Sequence, residues 1–415
     1  MPEVLHLSSL AGSSLLDSAG EHLGRVRDVV VRLDLGDGLP PVIGLQARIA
    51  GRDMFVPAAR IERLGPTATR TATTKLNLAQ FERRPGELLL SCDVLDRSLI
   101  NVSTARLVTA REVELVHEGG AWRVSGIDPS FRARLRRLLP RRFRGHQAEH
   151  AQFVAWRDME PFVGHVPTFR LKLASRRIAR LHPAQIADLV EAASHEEGEE
   201  ILEAVGQDKE LEADVFEEMD DEHQVEFLRE RSDKEAAALL ARMATDDAAD
   251  LLLELDQERR LPILNLLPPA KQRKIRSLLG HNPSTAGGLM NPDFISVRGE
   301  ATVAHAMERV RASEPDPLIV CVVDEAGVLA GAVTLAQLIR AGEQQSIGSL
   351  IDSPIPTVAV EADVPEVARV MTDYNMIAMP VVDAENRPVG IVAVDDVLEL
   401  LLPEEWRHRA GVARS

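Results

Sequence analysis

The chain is expected to be a multidomain α+β protein, and three observations carry that expectation. Residues 3–128 hold β-branched runs punctuated by glycine. Residues 182–279 repeat short apolar segments headed by helix-capping signals. The tail from about 281 contains an internal duplication. At 415 residues the chain is too long for one ordinary domain, since ~150 residues per domain suggests about three.

In the first region, Val26 to Leu35 alternates in part, and Val42 to Ile49 follows a Pro-Pro turn. Arg106 to Val116 and Trp122 to Ile127 flank the turn Glu118-Gly119-Gly120. The stretch leading into the first long strand, from Asp17 to Val26, recurs faintly at Val94 to Val102, so two small β units are expected. Arg132, Arg134, Arg136, Arg137, Arg141, Arg142 and Arg144 then follow without an intervening acid. Phe131, Leu135, Leu138 and Leu139 set a helical apolar edge beside them. Such a stretch suits an anionic membrane surface, where each base contributes ~1 kcal/mol. The plainer reading is a linker helix facing the acidic region that follows.

That region, from about His182 to Leu279, reads as stacked helices. Ser194-x-x-Glu197 and Ser232-x-x-Glu235 are capping boxes, and Thr245-Asp246-Asp247 marks another start. Ala236-Ala-Ala-Leu-Leu and Ala248-Ala-Asp-Leu-Leu repeat at an offset of 12, as a small superhelix would. In the tail, Val322-Val323-Asp324 precedes Gly331 by the spacing at which Val381-Val382-Asp383 precedes Gly390. Helical stretches flank both (302–311 and 335–340; 364–374 and 395–402), so two α/β modules packed face to face are expected.

Charge sharpens this division. The net charge of −17 combines 28 Lys+Arg against 19 Asp+Glu in residues 1–180 with 20 against 46 in the remainder. Aromatics are 3% of the chain and Tyr374 is its one tyrosine, which argues against base-stacking surfaces. DNA is not expected as a partner, and RNA only through the arginine stretch. Cys92 and Cys321 are the two cysteines, so neither a disulfide framework nor a cysteine-rich zinc site is expected. The longest uncharged apolar stretch, Ala326 to Ile339, falls short of the ~20 residues of a membrane span. There is no phosphate-cradling Gly-rich loop, dinucleotide fingerprint, HExxH pair or nucleophile elbow, and no enzymatic activity is expected. Met290, Met307, Met371, Met376 and Met379 read as core fillers, and His182 and His305 as surface or packing residues.

The run His182-Pro-Ala-Gln-Ile-Ala-Asp-Leu-Val, then Asp246-Asp-Ala-Ala-Asp-Leu-Leu, then Thr285-Ala-Gly-Gly-Leu-Met resembles the cytosolic portion of MgtE-type magnesium transporters. The duplicated tail is similar to their paired CBS domains. The pattern Asp-x-x-Gly-x-x-x-Gly-x-Val at 17–26 resembles PRC-barrel domains, which implies small β-barrels and no particular function. With these resemblances the expected layout is a PRC-barrel-like region at 1–128 and a basic linker at 129–180. An MgtE N-type helical domain at 181–280, CBS units at 281–345 and 346–402, and a tail at 403–415 follow. In the transporters the last CBS helix leads to a connecting helix and a pore, whereas this sequence stops at Ser415. The expectation is a detached module, cytoplasmic or peripheral at the inner membrane face, acting in trans on a membrane divalent-metal transporter. A homodimer is implied by the same resemblance.

Mg²⁺ keeps several waters and uses one or two carboxylates per site, so a sensor needs facing acidic surfaces. Asp246 and Asp250 lie four apart on one helical face with Asp247 beside them. Asp395 and Asp396 follow the last strand, with Glu399 about one turn on. The resemblance implies that Asp246 meets Asp396 through Mg²⁺ and that Asp363 is a further acidic position. It also implies that Glu399 stands in for an aspartate. The plainer role for Asp246, Asp395 and Asp396 is that of helix N-terminal carboxylates, worth up to ~1 kcal/mol. An alternative ligand is ATP or AMP. The family pattern pairs a hydroxyl near phosphate with an aspartate three residues on. Here Thr334 is followed by Gln337, and Ala393 precedes Asp396, so each repeat keeps half and Asp396 is claimed twice.

Overall fold

The computed structural model describes residues 3–33, 38–72, 80–84, 86–130, 153–161, 177–313, 317–351 and 354–402. The seven arginines from Arg132 to Arg144 lie outside the described residues. The chain divides into two compact units, Met1–Gln207 and Asp208–Val412. The architecture is mixed α+β: a β-rich start, a helical run, and two small α/β modules. Among the described residues no helix is long and apolar enough to cross a membrane.

In the first unit the long strand His22–Arg32 pairs antiparallel with Val42–Ile49, which in turn pairs with Arg52–Pro57. Ser14–Leu16, Ala68–Thr71 and Ile61–Arg63 extend the sheet on the other side, and Glu87–Leu89 also pairs with the long strand. The Asp-x-x-Gly-x-x-x-Gly pattern has a local cause here. Asp17 accepts the Glu21 amide at 2.8 Å, and Gly20 closes the turn at φ +89°. A Cβ on Gly24 would stand 2.2 Å from the Arg48 carbonyl, so only glycine lets the two strands approach.

The run expected as one strand from Arg106 to Val116 is two. Arg106–Thr109 joins a sheet with Ser98–Asn101 and Met159–Pro161, whereas Glu112–Glu118 pairs with Val4–His6 and Ala121–Asp128. Ala110 and Arg111 turn the chain between sheets by donating to the Arg97 and Asp128 carbonyls. Both β halves feed one core, in which Leu7, Leu15, Val29, Leu45, Leu99, Leu115 and Ile127 are fully buried. Among the described residues the sheets are open paths rather than closed rings. Helices Pro183–Ala192 and His195–Val205 complete this unit, the second opened by the Ser194–Glu197 capping box.

The second unit starts with six helices, from Lys209–Glu217 to Pro269–Leu278. Ser232 and Glu235 form the second capping box. The two α/β modules follow and share one topology. Each pairs its first and second strands parallel and its second and third antiparallel. The register shifts at Val322/Val323 in one and at Val381/Val382 in the other. Asp324 and Asp383 close equivalent turns, accepting the amides of Ala326 and Val328, and of Glu385 and Arg387. The duplicated Val-Val-Asp motif is therefore a bulge followed by an aspartate-capped turn.

The lead-in segments of the modules are exchanged. Ala286 and Gly287, ahead of the first module, donate to Ala362 and Val360 of the second, and Asn291 pairs with Ile391. Ile347 and Gly348, ahead of the second, donate to Ala301 and Gly299 of the first. A Cβ on Gly390 would meet the Met290 side chain at 2.7 Å, and one on Gly331 would meet Ile351 at 2.8 Å. Each module is thus closed by a segment belonging to the other. Met290, Met371 and Met379 are buried fillers of this region.

Candidate cation site

The helix Thr245–Glu254 starts without a side-chain cap at Ala244. Neighbours supply the missing contacts: Glu217 accepts the Ala244 amide at 2.6 Å, and the buried Thr245 hydroxyl donates to Asp293. Ala248, Ala249, Leu251 and Leu252 bury one side of the helix. That anchorage turns Asp246, Asp247 and Asp250 toward another acidic helix, Val394–Leu401. There Val397 is buried and Asp396 accepts the Ala393 amide at 3.2 Å.

These carboxylates act on one another. The pKa of Asp246 is raised by burial first, then by the charge of Asp396, against the pull of the Asp246 and Asp247 amides. Asp247 is raised by burial, then by Asp246, Glu217 and Asp396. The Asp250 side chain reaches solvent, yet the protein packed around it, with Asp221, Glu399 and Glu254, lifts it to about 6. Asp396 is lifted to about 6 by burial, Asp395 and Glu399. Helix N-terminal carboxylates in their plain role are stabilised and fall in pKa, so these groups exceed that role.

Positive charge nearby is scarce and already committed. Lys271 is lowered by burial while Asp293, Glu217, Asp246 and Asp247 pull it the other way. Its ammonium donates to the Met243 carbonyl and, at 3.4 Å, to that of Ala241. Lys274 pairs with Asp293. The charged side chains that act on the cluster are carboxylates, so the donors it offers are hard oxygens. Among the described residues no three of them bring oxygens within 4.8 Å of one another. The set is an open acidic surface rather than a closed cage, which fits a hard cation that keeps its waters.

Asp246, Asp247, Asp250, Asp395, Asp396 and Glu399 are thus brought together, and Asp363 is not. Asp363 caps the helix Val364–Tyr374 by accepting the Glu366 amide at 2.9 Å, and pairs by backbone with Thr285. Thr334 is engaged in a capping box with Gln337, and His305 is exposed at the surface. Sequence reasoning missed Glu217, Asp221, Asn291 and Asp293. Asn291-Pro292-Asp293 directly after the Gly-Gly-Leu-Met run was the available signal, since a short side chain flanking a proline marks a turn.

Residues 181–284 match the family described as the MgtE intracellular N domain, and residues 286–343 and 347–403 each match the CBS domain. The magnesium transporter MgtE of Thermus thermophilus is 38% identical over 152 residues, covering 35% of this chain and 34% of that protein. The magnesium transporter MgtE of Enterococcus faecalis is 34% identical over 143 residues, covering 34% of this chain and 32% of that protein. The chain therefore spans about a third of the length of the curated relatives it matches. Among solved structures, the cytosolic domain of the Mg²⁺ channel MgtE in complex with ATP is 30% identical with a TM-score of 0.51. That likeness covers 55% of this chain and 93% of the other. The soluble part of a magnesium transporter is 28% identical, also at 0.51, covering 55% and 90%. The chain thus carries an MgtE intracellular N domain followed by two CBS domains, and over that half it is similar to the cytosolic domain of MgtE.

Proposed function

We propose that this protein is a regulatory module that responds to a divalent cation, Mg²⁺ first, and modulates magnesium transport by a membrane transporter in trans. One observation carries the reading: two acidic helices act on each other, the Asp396 charge on Asp246 and Asp247 and the Glu399 charge on Asp250. Like charges ~4 Å apart repel by roughly 4 kcal/mol at an effective dielectric near 20, before salt screening. A divalent cation supplies two positive charges and removes that repulsion. The chain's own residues then set the response. Asp246, Asp247 and Asp250 hold one face, Asp396 and Glu399 the other, and Asp395 lies at the exposed edge. Cation binding thereby favours the arrangement in which the two helices stay together. The similarity to MgtE cytosolic regions supports Mg²⁺ as the cation and transport as the process.

The decisive measurement is protease protection or small-angle scattering across a Mg²⁺ titration, with the Asp246→Asn, Asp396→Asn double variant alongside. Compaction at millimolar Mg²⁺ that the variant loses is expected. Equal behaviour of the two proteins, or no compaction, overturns the reading.

A second ligand is favoured by one comparison, because the 30%-identical MgtE cytosolic domain was solved with ATP. Adenine nucleotide binding at the CBS pair would draw on the Thr334 hydroxyl or the Asp396 carboxylate, each now held in a helix cap. Melting temperature with ATP or AMP, without added divalent ion, tests it; a flat response counts against it. A homodimer through the CBS pair completes the proposal, and the exposed Ile339, Tyr374, Ile377, Leu398 and Leu401 suit such a contact. Light scattering in solution measures it directly. The site of action proposed is the cytoplasmic face of the membrane.

A further inference from the structure

We infer that Asn291 is the positioning residue that orients Asp246 toward its cation and ties that orientation to the second CBS sheet. The inference rests on the cation reading above and adds a residue and a route to it. Three bonds meet at Asn291. Its side-chain amide Nδ2 donates to Asp246 Oδ1 at 3.0 Å. Its side-chain Oδ1 accepts the Asp293 amide at 2.7 Å, which closes the turn through Pro292. Its backbone donates to Ile391 at 2.8 Å and accepts from Ile391 at 3.0 Å.

Each bond has a chemical consequence. The amide engages Oδ1 of Asp246 from one side and so fixes the orientation in which the carboxylate would meet a cation. A neutral donor does this without adding charge to an already crowded anionic site. Outer partners of this kind commonly change metal affinity 10–100-fold when removed. The backbone pair carries the effect onward. Ile391 lies in the strand Pro388–Ala393, and Asp396 stands three residues beyond the end of that strand. The two acidic surfaces are therefore linked by a covalent and hydrogen-bonded path through a single residue.

The rest of the turn is clamped, so Asn291 has little freedom to move away. Asp293 takes the Thr245 hydroxyl on one oxygen and the Lys274 ammonium on the other. Met290, on the other side, is buried against Gly390. A side chain held at both ends reports displacement of Asp246 to the sheet rather than absorbing it.

The test uses the full chain with Mg²⁺ alone. Asn291→Ser keeps an oxygen able to cap the turn but is too short to reach Asp246, and Asn291→Ala removes both functions. The Mg²⁺ midpoint for protease protection is expected to rise about tenfold in Asn291→Ser, with the cation-free melting temperature near wild type. Hydrogen exchange across 388–393 is expected to slow with Mg²⁺ in wild type and to lose that response in both variants. If wild type responds to Mg²⁺ and both variants match it within twofold, the inference fails while the cation reading stands. A wild type with no Mg²⁺ response overturns both.

Discussion

Two sets of carboxylates, one in each unit of this protein, are held by opposite means. In the β-rich unit Asp28, Asp93 and Glu112 are surrounded by donors. Asp28 accepts the amides of Val29, Ser91 and Cys92 at 2.7, 2.7 and 3.1 Å. Asp93 takes the Leu89 amide and the Arg83 guanidinium, and Glu112 takes the amides of Ser8 and Val113. In the second unit burial and neighbouring carboxylates act on Asp246, Asp247 and Asp396, and burial with Asp221, Glu399 and Glu254 on Asp250. The first arrangement is a finished structure, because every partner is a fixed part of the chain. The second leaves like charges facing one another, the feature on which the proposed cation reading rests.

The largest effect that separates the two is expected at Asp28. Asp28→Ala removes the acceptor of the Ser91 and Cys92 amides in the Leu90–Val94 turn and of the adjacent Val29 amide, and should cost about 3 kcal/mol in denaturant unfolding of the β-rich unit. Mg²⁺ should not restore it. Asp247→Asn, which replaces a carboxyl whose ionised form is opposed by burial and by its acidic neighbours, should instead raise cation-free stability by on the order of 1 kcal/mol. It should also weaken the Mg²⁺ response. Loss of stability in Asp247→Asn would place that residue among the finished structural acids and dissolve the contrast.

A smaller effect is expected from pH. The pKa values of Asp250 and Asp396 are raised from the ordinary 3.8 to about 6 in the folded chain. Between those values the native state binds more protons than the unfolded one, so their contribution is fully present below 3.8 and lost as pH rises through about 6. The stability these two groups contribute without cation, read as melting temperature, should therefore grow as pH falls from about 6 toward 3.8. Protons and Mg²⁺ relieve the same repulsion, so the Mg²⁺-induced gain should shrink over that interval. Asp28 is also raised to about 6, and its contribution has the same sign. An Asp250→Asn, Asp396→Asn variant isolates the acidic surface; a pH slope unchanged in that variant would assign the effect elsewhere.

Much of this contrast was legible in the sequence, for physical reasons that differ by element. The duplicated tail was readable because Asp324 and Asp383 make the same turn at the same distance from the same register shift. The acidic helix starts were readable because Asp246 and Asp250 fall on one helical face. The exchange of lead-in segments was not, since nothing local in Met290 specifies Gly390 of the other module as its neighbour. The break at Ala110 was hidden for a related reason: Val108 and Val113 look alike, yet they belong to different sheets. Which acids are satisfied also escaped the sequence, because two of Asp28's donors, the Ser91 and Cys92 amides, lie 63 and 64 residues away. Pattern reports which groups occur at what spacing, and satisfaction depends on long-range closure.

The smallest expected effect sharpens the boundary of the acidic surface. Asp363 was grouped with the cation residues on sequence, yet its carboxylate accepts the Glu366 amide and opens the helix Val364–Tyr374. An N-cap aspartate replaced by alanine commonly costs about 1 kcal/mol. Asp363→Ala should therefore lower the melting temperature of the second unit modestly and leave the Mg²⁺ midpoint where it was. Asp363→Ser, which restores an oxygen acceptor without the charge, should recover most of the lost stability. Asp363→Asn offers a stricter comparison, because it keeps the shape and removes only the charge. A shifted Mg²⁺ midpoint in Asp363→Asn with unchanged stability would extend the cation surface across the second CBS module. An unchanged midpoint confines it to the two facing helices, where the repulsion between carboxylates is concentrated.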